Sequence, residues 1–416
     1  MNQRLIDRPS RRQFLKATAT GSLAPLFLPS ATLGRAGTTG PNSRIVMASI
    51  GTGGRGTSNT RHFARFQQVQ LVATCDPVPA HRQRARDLVN RHYGNNDCET
   101  TADFREVLAR KDIDAIMIGT PDHWHAYITV AACKAKKDVF CEKPETLTVR
   151  EGRVMANAIE ASGIVFSGGS QRVLGDYGSW PRLVRGGGIG EVKEVFVGLP
   201  WGSSVPCDLP AEETPEGVAW DMWLGQAPVR PFHHSLIRGQ FRKYREYSGG
   251  GMTDWGAHRF GAAMFAVGRH QTGPTKVEPP RGSELPYLTY TFADGLKMYQ
   301  GGTDNLIYVG SEGVLTKGKD AQTRPASFTP VEGDVDMKGY KGSGGLFGDF
   351  LHCVQTRETP FRDIESAHRA CTMCHIGNIA LWLDRPLKWD PNREQFLGDE
   401  EANSWVRREK RAPWTV

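Results

Sequence analysis

The apolar run Ile45 to Ile50 leads directly into Gly51-Thr52-Gly53-Gly54-Arg55-Gly56, and a helical stretch opens near Thr57. A strand that turns on glycine into a helix is what a dinucleotide pyrophosphate needs. Gly51 permits the tight turn, Gly53 lets the backbone approach the phosphates, Gly56 lets helix and strand pack closely, and the helix N-terminus offers free N–H groups to the anion. Gly54 and Arg55 sit on the same turn as further cofactor candidates. A second apolar run, Val69 to Thr74, ends in Cys75-Asp76, twenty positions past Gly56. A carboxylate there accepts from both ribose hydroxyls and repels a 2′-phosphate, so the spacing predicts NAD rather than NADP.

The rhythm continues with a helix over 103–110, a strand over 113–119, a helix over 125–135 and a strand over 138–141. A helix opened by the capping box Thr148-Val149-Arg150-Glu151 and a last strand over 164–168 complete this half. Strands alternating with helices predict an α/β chain whose residues 42–170 form a Rossmann, doubly wound parallel sheet, with ligands at the strand C-termini. From residue 171 to 390 the pattern gives way to short alternating runs separated by glycines. That predicts a C-terminal α+β domain built on an open, largely antiparallel sheet, one face of which needs cover by self-association into a homo-oligomer. Residues 391–416 are expected to pack back on the N-terminal domain.

The first 36 residues differ in kind. Ser10-Arg11-Arg12-Gln13-Phe14-Leu15-Lys16 precedes a mildly apolar stretch, Ala17 to Leu28, too short to span a bilayer as a mature helix. It looks like a twin-arginine leader, implying recognition by the Tat export machinery and a periplasmic destination. The net charge of +7 is concentrated there: Arg4, Arg8, Arg11, Arg12, Lys16 and Arg35 against Asp7 leave the remainder near +2. With no basic stripe left, nucleic-acid binding has no support. The eight cysteines are scattered without a legible disulfide framework. Cys371-Thr372-Met373-Cys374-His375 has the spacing of c-type haem attachment, but it lies inside 366–383, which reads as one apolar-faced buried helix.

Two loops at strand ends carry chemistry, Gly119-Thr120-Pro121-Asp122-His123-Trp124-His125 and Glu142-Lys143-Pro144. The order G-x-G-x-x-G, Asp76, T-P-x-x-x-H and E-K-P resembles the N-terminal domain of the Gfo/Idh/MocA oxidoreductases. The resemblance implies that Lys143 points at the hydroxyl being oxidised. It also implies that Thr120, Pro121, His123, His125 and Glu142 line the cofactor, and that Trp124, Gln171 and Arg172 reach substrate. In the second half, Gly249-Gly250-Gly251-Met252-Thr253 opens a helix carrying Asp254 and, four residues on, His258, which places both on one face. By the same resemblance, His258 is the catalytic histidine and Asp254 a substrate contact. The family's commonest pattern has an aspartate three residues past the histidine; Gly261 stands there instead, which removes one hydroxyl contact. Trp220-Asp221-Met222-Trp223 and Phe241-Arg242 serve either packing or a sugar pocket.

These residues predict oxidation of a secondary hydroxyl on a sugar or polyol, with His258 or Lys143 taking the proton. Export sharpens the expectation: a dissociable cofactor would be lost, so the NAD travels bound and is recycled in place. Recycling can run through a second substrate, or through the oxidation, elimination and re-reduction of a glycosidase. A lapsed, non-catalytic sugar-binding module is a further alternative.

Overall fold

In the computed structural model the residues described are 44–170, 172–175, 179–316 and 339–414. The leader and Gln171 lie outside them. Six strands, β1 (Ile45–Ile50), β2 (Val69–Cys75), β3 (Glu99–Thr101), β4 (Ala115–Ile118), β5 (Asp138–Cys141) and β6 (Phe166–Gly168), form an all-parallel sheet in the order β3-β2-β1-β4-β5-β6. The order reverses between β1 and β4, which opens the ligand crevice at their C-terminal ends. The central strand β4 is apolar at every position because its alternate side chains enter two different cores. Ile116 and Ile118 join Val139, Cys141 and Trp124 on one face, while Ala115 and Met117 join Phe63 and Phe140 on the other.

The second sheet has eight strands: β7 (Val192–Val197), β8 (Lys276–Glu278), β9 (Leu288–Thr291), β10 (Lys297–Gln300), β11 (Leu306–Gly310), β12 (Val314–Thr316), β13 (Leu387–Asp390) and β14 (Gln395–Phe396). Their order is β12-β11-β7-β10-β9-β8-β13-β14, antiparallel throughout except where β7 runs beside β10. Val195, Val197, Met298 and Tyr290 point from this sheet into a core shared with the helices Gly256–Ala266 and Ile364–Leu383.

The sequence periodicity misplaces some boundaries. The helix expected from His125 begins at Asp122, with Pro121 as its N-cap, so His123, Trp124 and His125 form its first turn and are buried. The helix Gly345–Thr356 lies within the stretch assigned to the second half, yet its Phe347 and Phe350 pack on Phe63 and Phe140 of the first sheet. At the end of the chain, Trp414 seats against Phe104, Trp124 and Tyr127, and Lys410 pairs with Glu151 at 2.6 Å. The Cys371–His375 segment lies inside the helix Ile364–Leu383 with both thiols fully buried and His375 Nε2 at 3.1 Å from the Thr146 carbonyl oxygen. This burial supports the packing reading over haem attachment.

One polar cluster ties the two sheets together. Arg153, on the capped helix Val149–Ser162, donates to Glu394 at 2.7 Å and to Glu365 at 2.9 Å, and His368 reaches the same Glu394 at 2.7 Å. Burial alone would raise the Glu394 carboxyl, but His368 and Arg153 hold it down at about 2, against an ordinary 4.5. A depressed carboxyl stabilises the fold fully above its ordinary value and loses that contribution as the pH falls toward the folded value. Glu394→Gln therefore lowers stability at neutral pH by about 2–3 kcal/mol, and the gap closes as pH approaches about 2. Unfolding of both proteins across this range checks it; a gap independent of pH would contradict the assignment.

Candidate active site

The glycine turn is built to keep backbone close to backbone. Gly51 has φ +81°, a conformation that favours glycine, and a Cβ there would run into the Thr120 backbone. A Cβ on Gly56 would collide with the Gly51 carbonyl oxygen, whereas one on Gly54 would meet nothing within 4 Å. The first and third fingerprint glycines thus serve packing, while Gly53 and Gly54 leave open space at the N-terminus of the helix Gly54–Ala64. That space belongs to a cavity of about 560 Å³ lined by the glycine turn, Asp76, Thr120, Pro121 and Trp124, and closed by Leu236 to Gly239 and Phe241-Arg242 from the second half.

A dinucleotide fits this cavity. The open Gly53-Gly54 cradle faces it from the helix end that binds anions. Asp76 accepts from the Thr52 N–H at 2.8 Å and the Val78 N–H at 2.9 Å, which fixes its carboxylate on the cavity wall just past β2. The Thr120 hydroxyl is buried without a partner among the described residues. Arg84 lines the same wall and donates to the Thr52 carbonyl at 3.2 Å.

From the fingerprint helix, Arg55 Nε and Asn59 Nδ2 each donate to Glu142 Oε1 at 2.8 Å, locking the glycine turn to the end of β5. The next residue, Lys143, precedes a cis proline and extends its ammonium to Asp254, with Nζ at 2.5 Å from Oδ1 and 2.7 Å from the backbone oxygen. The Lys143 and Asp254 side chains are only 12% and 15% exposed. Arg242, which lines the cavity, donates to the same Asp254 Oδ1 at 3.2 Å. Burial opposes ionisation of Asp254, but the Lys143 and Arg242 charges outweigh it and hold the carboxyl below its ordinary value.

Asp254 and His258 do not share one helix. The helix Gly251–Asp254 stops at Trp255 and a new one, Gly256–Ala266, carries His258. Asp254 turns to Lys143, while His258 Nδ1 lies 2.7 Å from the Ser170 hydroxyl at the end of β6. Burial, reinforced by the charges of Lys143, Arg172, Arg362 and Arg55, holds His258 well below the ordinary imidazole value, so its ring is neutral. Arg172 stacks its guanidinium over Trp255, 5.1 Å from the ring centre. Gly261 faces the Arg362 guanidinium, and a Cβ there would already sit 3.2 Å from it, so Arg362 occupies the space of the missing aspartate.

The loop histidines are placed otherwise than the resemblance implies. His123 Nε2 lies 3.1 Å from the Trp223 carbonyl oxygen, and His125 bridges the Pro144 and Thr120 carbonyls at 2.7 and 2.9 Å. Neither lines the cavity; His125 braces the backbone on either side that carries Lys143 and Thr120, and His123 ties the helix start to Trp223. Trp124 shows one edge to the cavity, but its indole N–H donates to the Trp223 carbonyl and its ring packs on Phe104 and Trp414. Asp122 escaped the sequence reading: fully enclosed and bonded by Ser248 at 2.6 Å, its carboxyl is pushed up to about 6 by burial, against the charges of His125 and Arg242. Asn59 and Ser170 were missed as participants too, while Arg242, open in the sequence between packing and a sugar pocket, lines the cavity. Only Asn59 left a signal, standing one helical turn past Arg55.

Residues 45–170 match the oxidoreductase family described by its NAD-binding Rossmann fold, and residues 199–416 match the same family's C-terminal alpha/beta domain. A glycosyl hydrolase family 109 protein of Shewanella baltica and an alpha-N-acetylgalactosaminidase of Shewanella oneidensis are each 32% identical over 163 residues. The match takes in 34% of this chain and 35% of each relative's length. An aldose-aldose oxidoreductase from Caulobacter crescentus, solved with glycerol, superposes with a TM-score of 0.57 at 19% identity. A scyllo-inositol dehydrogenase from Lactobacillus casei, solved with NAD(H) and scyllo-inositol, gives 0.56 at 17%; both superpositions cover 83% of this chain and 99% of the other. These structures share the fold. With both halves matched, the chain belongs to the Gfo/Idh/MocA oxidoreductase family.

Proposed function

We propose that this chain oxidises a secondary hydroxyl of a sugar, glycoside or cyclitol with an NAD that stays bound and is recycled in place. The observation that carries the reading is the Lys143–Asp254 ion pair, joined through Arg242 to the wall of the cavity that the glycine turn opens, with the neutral ring of His258 within reach of the Lys143 charge. When bound, NAD supplies the hydride acceptor. Lys143, paired with Asp254, is an ammonium: it donates to the substrate oxygen and stabilises charge as the O–H bond weakens. His258 is a neutral imidazole and takes the proton. Of the two bases open from sequence, the ion pair therefore favours His258. Arg242 and Phe241 present a guanidinium and a ring face toward the hydroxylated substrate. Asp76 at the ribose end favours NAD over NADP through its repulsion of a 2′-phosphate.

A second reading within this chemistry is a redox-neutral glycosidase, and the printed names of the family 109 relatives favour it. Oxidation beside the glycosidic carbon acidifies the neighbouring C–H, elimination releases the aglycone, and re-reduction returns the cofactor. The arginine pair in the leader supports export to the periplasm before any of this chemistry takes place. Phe196, Tyr299, Ile307 and Val309 lie partly exposed on the second sheet and support self-association through that face.

Lys143→Ala and His258→Ala are each expected to lower turnover by about 10²–10⁴-fold, the usual worth of a positioned acid or base. Full turnover in both variants on the natural substrate would overturn the assignment. Incubation of nucleotide-loaded protein with α-N-acetylgalactosaminides, other glycosides and free polyols separates the two readings. Aglycone release without net nucleotide reduction identifies the glycosidase, and an oxidised sugar product identifies the oxidoreductase; neither product from any member would contradict both.

A further inference from the structure

A second hollow, of about 370 Å³, shares no lining residue with the cofactor cavity. It lies between the start of the helix Asp122–Lys134, the loop at Gln226 and the tail from Ser404 to Lys410. Two of its guanidiniums lie against one indole: Arg245 is 4.3 Å and Arg408 is 5.5 Å from the Trp382 ring centre. Arg408 also donates to the Arg245 backbone oxygen. Neither arginine makes an ion pair among the described residues, and the Nε of each is buried without a partner.

Three carboxylates line the hollow, of which Glu409 is exposed and the other two are hydrogen-bonded elsewhere. Glu151 is held by Lys410 at 2.6 Å and by the Leu147 and Thr148 N–H groups, and Glu246 accepts from the Cys207 N–H at 3.1 Å. Burial and the neighbouring Arg245 charge push the Arg408 guanidinium down to about 10, although Glu151 opposes this. It remains charged at neutral pH, so two half-buried cations stand together with no ion-pair partner among the described residues. Such an arrangement is costly unless an anion completes it.

The same hollow holds acceptors. Gln226 is 4% exposed, and neither its amide oxygen nor its amide nitrogen has a partner. His123 Nδ1 is also unpartnered, and burial holds that ring down at about 4, so it is neutral. With Nε2 donating to the Trp223 carbonyl, Nδ1 carries only a lone pair. A ligand matching these atoms brings negative oxygens for the guanidiniums and hydroxyl donors for Gln226 Oε1 and His123 Nδ1. We propose that this hollow is a second ligand site, distinct from the cofactor cavity, that binds a small polyhydroxylated oxyanion, a sugar acid or sugar phosphate.

Calorimetric titration of the full chain, carrying its own nucleotide, with gluconate, glucose 6-phosphate and inorganic phosphate tests this. The expected result is saturable binding of gluconate or glucose 6-phosphate with millimolar or tighter affinity, and weaker binding of inorganic phosphate, which brings no acceptor-seeking alcohols. Binding by one of the two sugars alone identifies carboxylate or phosphate as the source of charge. Arg408→Gln and Gln226→Leu should each weaken it about tenfold or more, while Lys143→Ala leaves it intact. Absence of saturable heat up to about 50 mM would overturn the proposal, as would binding that survives both substitutions or disappears with Lys143→Ala. The two substitutions act on different elements, so loss of folding in one leaves the other to decide.

Discussion

The contact between Lys143 and Asp254 is the constraint on which the rest of the site depends. Lys143 lies just past the end of a strand of one sheet and Asp254 ends a short helix packed with the other, so the pair ties the two halves together. A partly buried ion pair contributes little net stability, because desolvation offsets most of the attraction. Its consequence is chemical. It anchors the Lys143 charge at Asp254, and that charge joins burial in holding His258 well below its ordinary value. A cation and an uncharged imidazole thereby stand near enough for one to be felt by the other. Arg55, Asn59 and Glu142 extend the same register to the glycine turn, so cofactor cradle and reacting groups are positioned through hydrogen bonds of 2.8 Å.

Much of the first half was legible in the sequence because its information is local. The glycine spacing, the strand ending at Asp76 and the capping box at Thr148 and Glu151 all act within a turn or a strand, and the parallel sheet follows from their alternation. The second sheet was legible in class, from its short alternating runs, but not in the parallel step between β7 and β10. What sequence could not show depends on distant partners. His123 and His125 read as cofactor-cavity residues until three of their four ring nitrogens are seen to be taken by Trp223, Pro144 and Thr120. Asp254 and His258 read as one helical face until the break at Trp255 sends them to different partners.

Two departures share a physical explanation. Arg362 packs beside Gly261, where the resemblance implied an aspartate, and that buried arginine adds to the positive field that keeps His258 neutral. The Cys371–His375 spacing has no attachment role in the fold because the helix around it is enclosed, with Cys371 bonded to Glu145. In both places a short motif is overruled by packing from residues more than a hundred positions away.

The central claim is a cofactor that stays with the protein, held by the glycine turn and covered by Leu236 to Arg242 from the second half. The most direct test is the nucleotide content of protein isolated from the periplasmic fraction, released by acid and identified by mass spectrometry. The account predicts NAD at close to one molecule per chain, surviving extensive dialysis. Protein that reaches the periplasm folded and carries no nucleotide would contradict it.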